Sequence, residues 1–217
     1  MISNKCKLCH SSTSIIEDKK TSKVYYRCGK CDYIFMDDKY YLDASLEKKH
    51  YDNHDNNLKS LGYVKMFEKL IEEFVSADAK GIKTALDFGC GEGKVLPVLL
   101  ERVGISCDVF DLFYFPKKVY ENKMYDLICS TEVMEHLANP LDTIKELLSH
   151  LNKDGYLLIM TYFHPSDDEK FLKWFYIKDI THIGFFSLKT FEYLASELDM
   201  EIVKHNIKSS IMFRKMS

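Results

Sequence analysis

Three residues capable of acid–base chemistry lie within five positions in the stretch STEVMEHLANP, residues 130–140. Glu132, Glu135 and His136 have the spacing i, i+3 and i+4, which places side chains on one face of a helical turn. Two carboxylates and an imidazole at one point could bind a metal ion, transfer protons, or form only the polar side of the turn. The apolar run just before them, 125–129, predicts that they follow a buried strand.

Four cysteines form the most specific pattern in the chain, CxxC-x18-CxxC, and they are Cys6, Cys9, Cys28 and Cys31. Each CxxC turn directs two thiolates at one point, so two turns supply the four ligands of a tetrahedral zinc ion. The alternative, two redox-active pairs, lacks the surrounding βαβ pattern of a thioredoxin fold. The spacing therefore predicts a structural zinc ribbon in residues 1–40, a segment too short to build a large core of its own.

A glycine-rich stretch, ALDFGCGEGKVL, lies between a predicted buried strand and a helix and contains Gly89, Gly91 and Gly93. Such a turn lets a ligand approach the backbone and offers it amide groups at the start of a helix. Asp87 precedes the glycines, and Asp111 ends the next strand about 20 residues later, where a carboxylate can accept hydrogen bonds from ribose hydroxyls. A bare GxGxG also occurs as a turn without ligand, but the two acids indicate a nucleoside cofactor.

The elements that must position these residues alternate along the chain. Strands are predicted at 84–88, 107–111, 126–129 and 155–161, and helices at 93–103 and 140–151. This alternation predicts a doubly wound, mostly parallel α/β sheet. A further helix begins at Ser187, and β-like stretches at 201–207 and 210–214 predict a hairpin that ends the sheet with an antiparallel strand. An amphipathic helix from Gly62 is expected to pack on the sheet.

Composition bounds the class of protein. The chain has 217 residues, 46% hydrophobic content and a net charge of −3, which indicates a globular fold and argues against strong nonspecific nucleic-acid binding. Neither a signal-peptide apolar region nor a stretch of about 18 apolar residues is present, so we expect a cytoplasmic protein without membrane partners. Three segments are predicted: the zinc ribbon (1–40), a connecting segment with a packing helix (41–80) and a catalytic domain (81–217).

Four motifs together resemble the class I S-adenosylmethionine-dependent methyltransferases, and more narrowly the small bacterial members with an N-terminal zinc ribbon. They are LDFGCGEG with its following acid, YDLICSTEVMEHLANP, LNKDGYLLIMT and HIGFFSLKTFEYLASELDMEI, within about residues 80–205. The resemblance implies a Rossmann-like sheet with an antiparallel last strand. It also implies transfer of a methyl group from S-adenosylmethionine to an oxygen or carbon of a small-molecule or saccharide acceptor.

The same resemblance implies a set of cofactor-binding residues, namely Asp87, Gly89, Cys90, Gly91, Gly93, Asp111, Leu112 and Glu132. One departure concerns residues 112–125, where members of the family place a helix, a strand and a second acid. Fourteen residues are too few for these elements, so the third strand is expected to be shortened or missing. Phe113, Tyr114 and Phe115 could cover the adenine by stacking instead.

Two related methyltransferase groups, acting on terminal RNA riboses and on polyprenyl catechols, bind a divalent cation through ExxEH. In the RNA group a further histidine precedes the penultimate helix, and His182 falls at a comparable place. The resemblance therefore implies a catalytic set of Glu132, Glu135, His136 and His182, around magnesium or manganese that acts as a Lewis acid on the acceptor oxygen. Without a cation, either histidine could be the general base.

Other residues are expected near the acceptor. His164 follows a predicted strand and should face the cleft, unless it is only a loop histidine beside a proline. Aromatic residues expected to form either an acceptor wall or ordinary packing are Tyr162, Trp174, Phe175 and Tyr176. Two other functions remain open: a degenerate, non-catalytic fold that acts as a binding module, and a metal-assisted RNA ribose methyltransferase.

Overall fold

A computed structural model describes residues 4–52, 56–75 and 81–216, which form two β-sheets flanked by helices. Parts of the predicted segments lie outside the described residues: 1–3 of the ribbon, 53–55 and 76–80 of the connecting segment, and 217. No helix among the described residues is long and apolar enough to cross a membrane.

The first sheet is antiparallel and has the order β1-β2-β3-β8. Its strands are β1 (Thr13–Asp18), β2 (Lys23–Cys28), β3 (Ile34–Met36) and β8 (Gly184–Phe185). The first three belong to the predicted zinc ribbon, whereas β8 comes from the catalytic domain and pairs with β3 in the register Ile34–Phe185. The ribbon and the domain thus share one sheet.

The second sheet has the order β5-β4-β6-β7-β10-β9. Its strands are β4 (Thr84–Phe88), β5 (Ser106–Phe110), β6 (Tyr125–Thr131), β7 (Leu151–Met160), β9 (Met200–His205) and β10 (Ser210–Lys215). The first four are mutually parallel, and β10 runs antiparallel to both β7 and β9. This confirms the predicted sheet and its terminal hairpin.

The missing third strand is confirmed. Only 14 residues separate β5 from β6, so β5 is the edge of the sheet, and the connection folds into a turn in which Asp111 pairs with Phe115. Each crossover between parallel strands needs about a dozen residues or more. This connection is long enough for one crossover, but not for two crossovers with a strand between them.

In the described part of the chain, six α-helices flank the sheets: α1 (Ala44–Tyr51), α2 (Leu61–Leu70), α3 (Val95–Arg102), α4 (Pro140–Ser149), α5 (Asp168–Lys173) and α6 (Leu188–Glu197). Helix α2 continues into a π-helical turn, Ile71–Val75, and single 3₁₀ turns cover Asp38–Tyr40, Met134–His136 and Phe175–Lys178. The predicted starts at Pro140 and after Ser187 are confirmed, and Ser187 forms a capping box with Thr190.

Two predicted boundaries are wrong. Helix α3 begins at Val95 rather than Gly93 because Lys94 has a left-handed backbone with φ of 44°. Strand β7 begins at Leu151 rather than Gly155, because Tyr125 of β6 already pairs with Leu151, and this ends α4 at Ser149. Both differences shorten a helix at its junction with the sheet.

Candidate active site

The glycine loop after β4 has the geometry of a ligand-binding turn. Gly89 and Gly91 have φ of 85° and 63°, values that side chains with a Cβ rarely adopt. A Cβ on Gly89 would lie 2.2 Å from Val133 Cγ2, and a Cβ on Gly93 would lie 2.0 Å from the carbonyl oxygen of Asn56. Close contact therefore excludes a side chain at Gly89 and Gly93, whereas at Gly91 the left-handed backbone favours glycine.

Asp111 holds this loop in place. Its Oδ2 accepts a hydrogen bond from the Gly91 amide at 3.0 Å, and its Oδ1 accepts bonds from the amides of Phe113 and Tyr114 at 2.9 and 3.1 Å. One carboxylate thus links the glycine loop to the short connection that replaces the third strand. Oδ1 thus uses both of its lone pairs, and Oδ2 keeps one that is available to a ligand.

Asp87 lies beneath the loop and is 1% exposed. Its Oδ1 has no hydrogen-bond partner among the described residues. Burial, and secondarily the charge of Asp111, raises the pKa of Asp87 to about 8. The acid is therefore largely protonated at neutral pH.

A single cleft of about 1260 Å³ runs from the glycine loop to the ExxEH segment. The predicted site residues on its wall are Gly89, Gly91, Gly93, Asp111, Leu112, Glu132, His136 and His182. The predicted residues Asp87, Cys90 and Glu135 are not on the wall. Cys90 and Glu135 are 9% and 0% exposed, and they lie behind the wall residues that neighbour them in sequence.

The ExxEH residues do not share one helical face. Glu132 has a left-handed backbone with φ of 55°, and its amide donates to Met160 O at 2.8 Å, which keeps it at the end of β6. The helical turn covers only Met134–His136. As a result, Glu135 points into the core while Glu132 and His136 reach the cleft.

His182 joins this group, as predicted for the fourth member of the set. Its ring centroid lies 4.8 Å from that of His136, and ligand atoms of Glu135, His136 and His182 lie within 4.8 Å of one another. The Nδ1 atoms of His136 and His182 contact the carbonyl oxygens of Thr181 and Tyr176 at 3.1 and 2.8 Å. A carbonyl only accepts, so each Nδ1 is the donor in its contact, and the Nε2 of His182 lies 3.9 Å from Asp179 Oδ2.

Tyr176 connects the two glutamates. Its hydroxyl contacts Glu135 Oε1 in a short hydrogen bond and Glu132 Oε2 at 3.1 Å. Burial raises the pKa of both carboxyl groups, and for Glu132 the neighbouring Glu135 adds to this. Burial also lowers the pKa of His182, so this imidazole is neutral at pH 7.

Helix α1 covers the cleft. Tyr51 packs its ring 5.3 Å from His136 and 5.7 Å from Phe113, while Asp52 accepts a hydrogen bond from the Tyr114 hydroxyl at 2.8 Å. Neither Tyr51 nor Asp52 was identified from the sequence. The signal that could have found them is the cluster of tyrosines before α2.

Two expected acceptor residues lie elsewhere. His164 does not face the cleft, because its Nε2 contacts the carbonyl oxygen of Asp32 in the ribbon at 2.8 Å. Trp174 packs against Phe171 and Phe185 beside the ribbon sheet. The other expected aromatic residues, Tyr162, Phe175 and Tyr176, do line the cleft.

The four ribbon cysteines converge, as their spacing predicted. The sulfurs of Cys6 and Cys31 are 3.6 Å apart and those of Cys9 and Cys28 are 3.3 Å apart, with all four within 4.8 Å of one another. A tetrahedral zinc ion with bonds of about 2.3 Å separates its sulfurs by about 3.8 Å. The cluster therefore has a size that suits zinc.

A six-stranded sheet with a glycine loop after its first strand and an acid after the second defines the class I Rossmann-like fold of S-adenosylmethionine-dependent methyltransferases. A family model for a methyltransferase domain matches residues 62–205, more than half of the chain. The chain belongs to this methyltransferase family. The search of curated proteins gives no significant match.

Solved structures share the fold at low sequence identity. Mitomycin 7-O-methyltransferase MmcR superposes with a TM-score of 0.54 at 12% identity, covering 80% of this chain and 58% of that one. Plantazolicin methyltransferase BpumL, in complex with a pentazolic desmethylPZN analog and SAH, gives 0.52 at 15% identity, with 81% and 92% covered. An O-methyltransferase family protein from Burkholderia thailandensis gives 0.52 at 12% identity, with 82% and 62% covered. The chain thus spans less than two thirds of MmcR and of the Burkholderia protein.

Proposed function

We propose that this protein transfers a methyl group from S-adenosylmethionine to an oxygen or carbon of a small-molecule or saccharide acceptor. The observation that carries the proposal is the shared cleft. The glycine loop with Asp111 forms one end of it, and Glu132, His136 and His182 form the other. Methyl transfer needs little more than alignment of two reactants and exclusion of water, and a cleft that holds both reactants side by side supports this.

The cofactor end suits a nucleoside bearing a cationic amino acid. The glycines allow close approach to the loop backbone, and Oδ2 of Asp111 has a lone pair left for a ribose hydroxyl. Phe113 and Tyr114 belong to the connection that replaces the missing strand, and they line the cleft. This supports a role for them in covering the adenine. When bound, S-adenosylmethionine supplies an activated methyl group on a sulfonium.

The charge of the wall bears on the acceptor. Its carboxyl groups are those of Glu47, Asp52, Glu92, Asp111, Glu132, Glu146 and Asp179, against a single lysine, Lys118. This surplus attracts a cationic cofactor and repels phosphates. It favours an uncharged or cationic small acceptor over RNA.

The test is calorimetry with S-adenosylhomocysteine, with NAD as the control because NAD-binding folds share the glycine loop and the ribose acid. We expect S-adenosylhomocysteine to bind with a sub-millimolar dissociation constant and NAD not to bind. Absence of binding by both would reject the enzyme and favour the degenerate binding module.

A second candidate is cation-assisted methylation, and the histidine geometry favours it. The Nδ1 contacts with backbone carbonyls fix the orientation of both rings, and ligand atoms of the two histidines and of Glu135 lie within 4.8 Å of one another. Magnesium or manganese held there would draw an acceptor hydroxyl forward. Without a cation, His136 or His182 would take the hydroxyl proton.

Manganese titration followed by electron paramagnetic resonance distinguishes these mechanisms. The cation mechanism predicts one manganese site per zinc-loaded chain that is lost in His182→Asn and retained in the exposed-histidine control His205→Asn. If wild type and His182→Asn bind manganese equally, the cation mechanism is rejected and the metal-free general base remains.

The ribbon is proposed to hold a structural zinc ion at Cys6, Cys9, Cys28 and Cys31. Metal analysis should give one zinc per chain. The double variant Cys6→Ser, Cys9→Ser should lose it, whereas Cys107→Ser, away from the cluster, should keep it. Stoichiometric zinc in the double variant would reject this site.

A further inference from the structure

The zinc ribbon makes direct backbone contact with the acceptor end of the cleft. The Met36 amide of β3 donates to Ile183 O at 2.8 Å, and the Ile183 amide donates to Glu135 O at 2.8 Å. The peptide groups of Ile183 therefore lie between the ribbon and the ExxEH turn. His182 is the residue immediately before this link.

A side-chain contact fixes the same segment. Tyr33 directly follows the second zinc-binding turn, since its carbonyl accepts from the Cys28 amide at 2.9 Å, and its side chain is 1% exposed. A Cβ on Gly184 would lie 2.3 Å from the Tyr33 hydroxyl oxygen. Tyr33 and β8 thus meet more closely than any residue other than glycine would allow.

The far side of this segment contacts the residues that follow β7. The His164 amide donates to Phe186 O at 2.8 Å, and Phe163 forms an isolated parallel bridge with Phe186. The ring of Phe186 lies 5.0 Å from Tyr33. Residues 182–186 therefore lie between the ribbon and the end of β7, with contacts on both sides.

We propose that the ribbon positions the acceptor end of the active site, because Tyr33 and the Met36 amide set the segment 183–184 and thereby place His182 against Glu135 and His136. Tyr33 and Gly184 act as positioning residues and do not touch reactants. The inference rests on the proposed function for its catalytic meaning, but the contacts themselves can be tested without an acceptor. A zinc ribbon that served only to fold residues 1–40 would need no contact with this segment.

The test is Gly184→Ala in the full zinc-loaded chain, observed through the imidazole resonances of the histidines by NMR, with His182→Asn used to assign them. The added Cβ must displace β8 or Tyr33, so we expect the His182 and His136 resonances to leave their wild-type positions. Affinity for S-adenosylhomocysteine should stay within twofold of wild type, because Gly184 is not among the residues that line the cleft. Zinc content should remain one per chain.

Two further variants make the result specific. Tyr33→Phe combined with Gly184→Ala removes the atom nearest the new Cβ, so the resonances should return toward wild type. Gly62→Ala makes the same substitution at an exposed position with no atom within 4 Å of the Cβ, and it should change nothing. Unchanged histidine resonances in folded Gly184→Ala, or a parallel loss of S-adenosylhomocysteine affinity, would overturn the proposal.

Hydrogen exchange on the wild type covers the case in which Gly184→Ala does not fold. If the ribbon holds Ile183, the amides of Met36 and Ile183 should exchange at rates within about threefold of each other, since one opening breaks both bonds. Exchange of Ile183 more than tenfold faster than Met36 would overturn the proposal. Wild type that fails to bind S-adenosylhomocysteine would refute the proposed function and leave these histidine and exchange measurements interpretable.

Discussion

The two ends of the cleft are built in different ways. The cofactor end is one continuous turn, 89–93, completed by Asp111, and its contacts are made by backbone amides and by glycines with no side chain. The acceptor end consists of side chains from separate segments, 132–136 and 176–182, and is covered by Tyr51 of α1. One end is a local conformation, whereas the other exists only after tertiary packing.

This difference predicts separable effects. Substitutions in the glycine loop should reduce cofactor affinity whatever happens at the other end. Substitutions of Tyr176 and His182 should leave cofactor affinity unchanged. The two ends do touch where Val133 lies against Gly89.

The largest effect is expected at that contact, from Gly89→Ala. The new Cβ would lie 2.2 Å from Val133 Cγ2, and φ of 85° is strained for alanine. Strain of about 1–3 kcal/mol at a loop that must keep its shape to bind corresponds to a loss of about tenfold or more in S-adenosylhomocysteine affinity. Calorimetry measures it directly.

The double variant Gly89→Ala, Val133→Ala separates the two causes. It removes the clash but keeps the backbone strain, so it should recover part of the lost affinity. If Gly89→Ala binds as tightly as wild type, the glycine loop does not form the cofactor end.

The same difference explains how far the sequence could be interpreted. The glycines, Asp111 and the cysteine pattern are local, and the structure places them together as their spacing predicts. The short connection 112–125 also predicted the missing strand, because chain length alone excludes it. These features depend on neighbouring positions, which a sequence displays directly.

The acceptor end was only partly predictable. The resemblance identified His182, which lies with Glu135 and His136, but the helical spacing of ExxEH did not reveal that Glu132 lies outside the turn, because its left-handed backbone carries no sequence signal in a glutamate. His164 was assigned to the cleft from its place after a strand. Its contact with Asp32 depends on the docked ribbon, which no local pattern reveals.

A smaller effect is expected from Asp87→Asn and concerns stability against pH. The pKa of Asp87 is raised from 3.8 to about 8 by burial, so the folded protein keeps a proton that the unfolded chain loses. The contribution of Asp87 to the free energy of unfolding is fully present below pH 4. It is lost as pH rises toward 8, with a slope of up to about 1.4 kcal/mol per pH unit. Asparagine removes this slope.

The measurement is urea unfolding between pH 5 and 8, and the quantity compared is the free energy of unfolding of Asp87→Asn minus that of wild type. This difference should become more positive as pH rises. Asp126→Asn is the matched control: hydrogen bonds from Lys83, Thr84 and Asn152 outweigh burial and lower the pKa of Asp126, so its difference should be constant over this range. A constant difference for Asp87→Asn as well would show that Asp87 is ionised in the folded protein.

The smallest effect on cofactor binding is expected from Tyr176→Phe at the acceptor end. The hydroxyl has one proton but contacts both Glu132 and Glu135, so one carboxyl group must donate to it, in agreement with the raised pKa of both acids. Its removal takes one hydrogen bond from each of these buried groups and should cost about 1–3 kcal/mol of unfolding free energy. Affinity for S-adenosylhomocysteine should nevertheless stay within twofold, because the hydroxyl contacts Glu132, Glu135 and Thr161, which lie outside the glycine loop. A loss of affinity comparable to that of Gly89→Ala would mean that the two ends form one cooperative site, with Val133 as the connection between them.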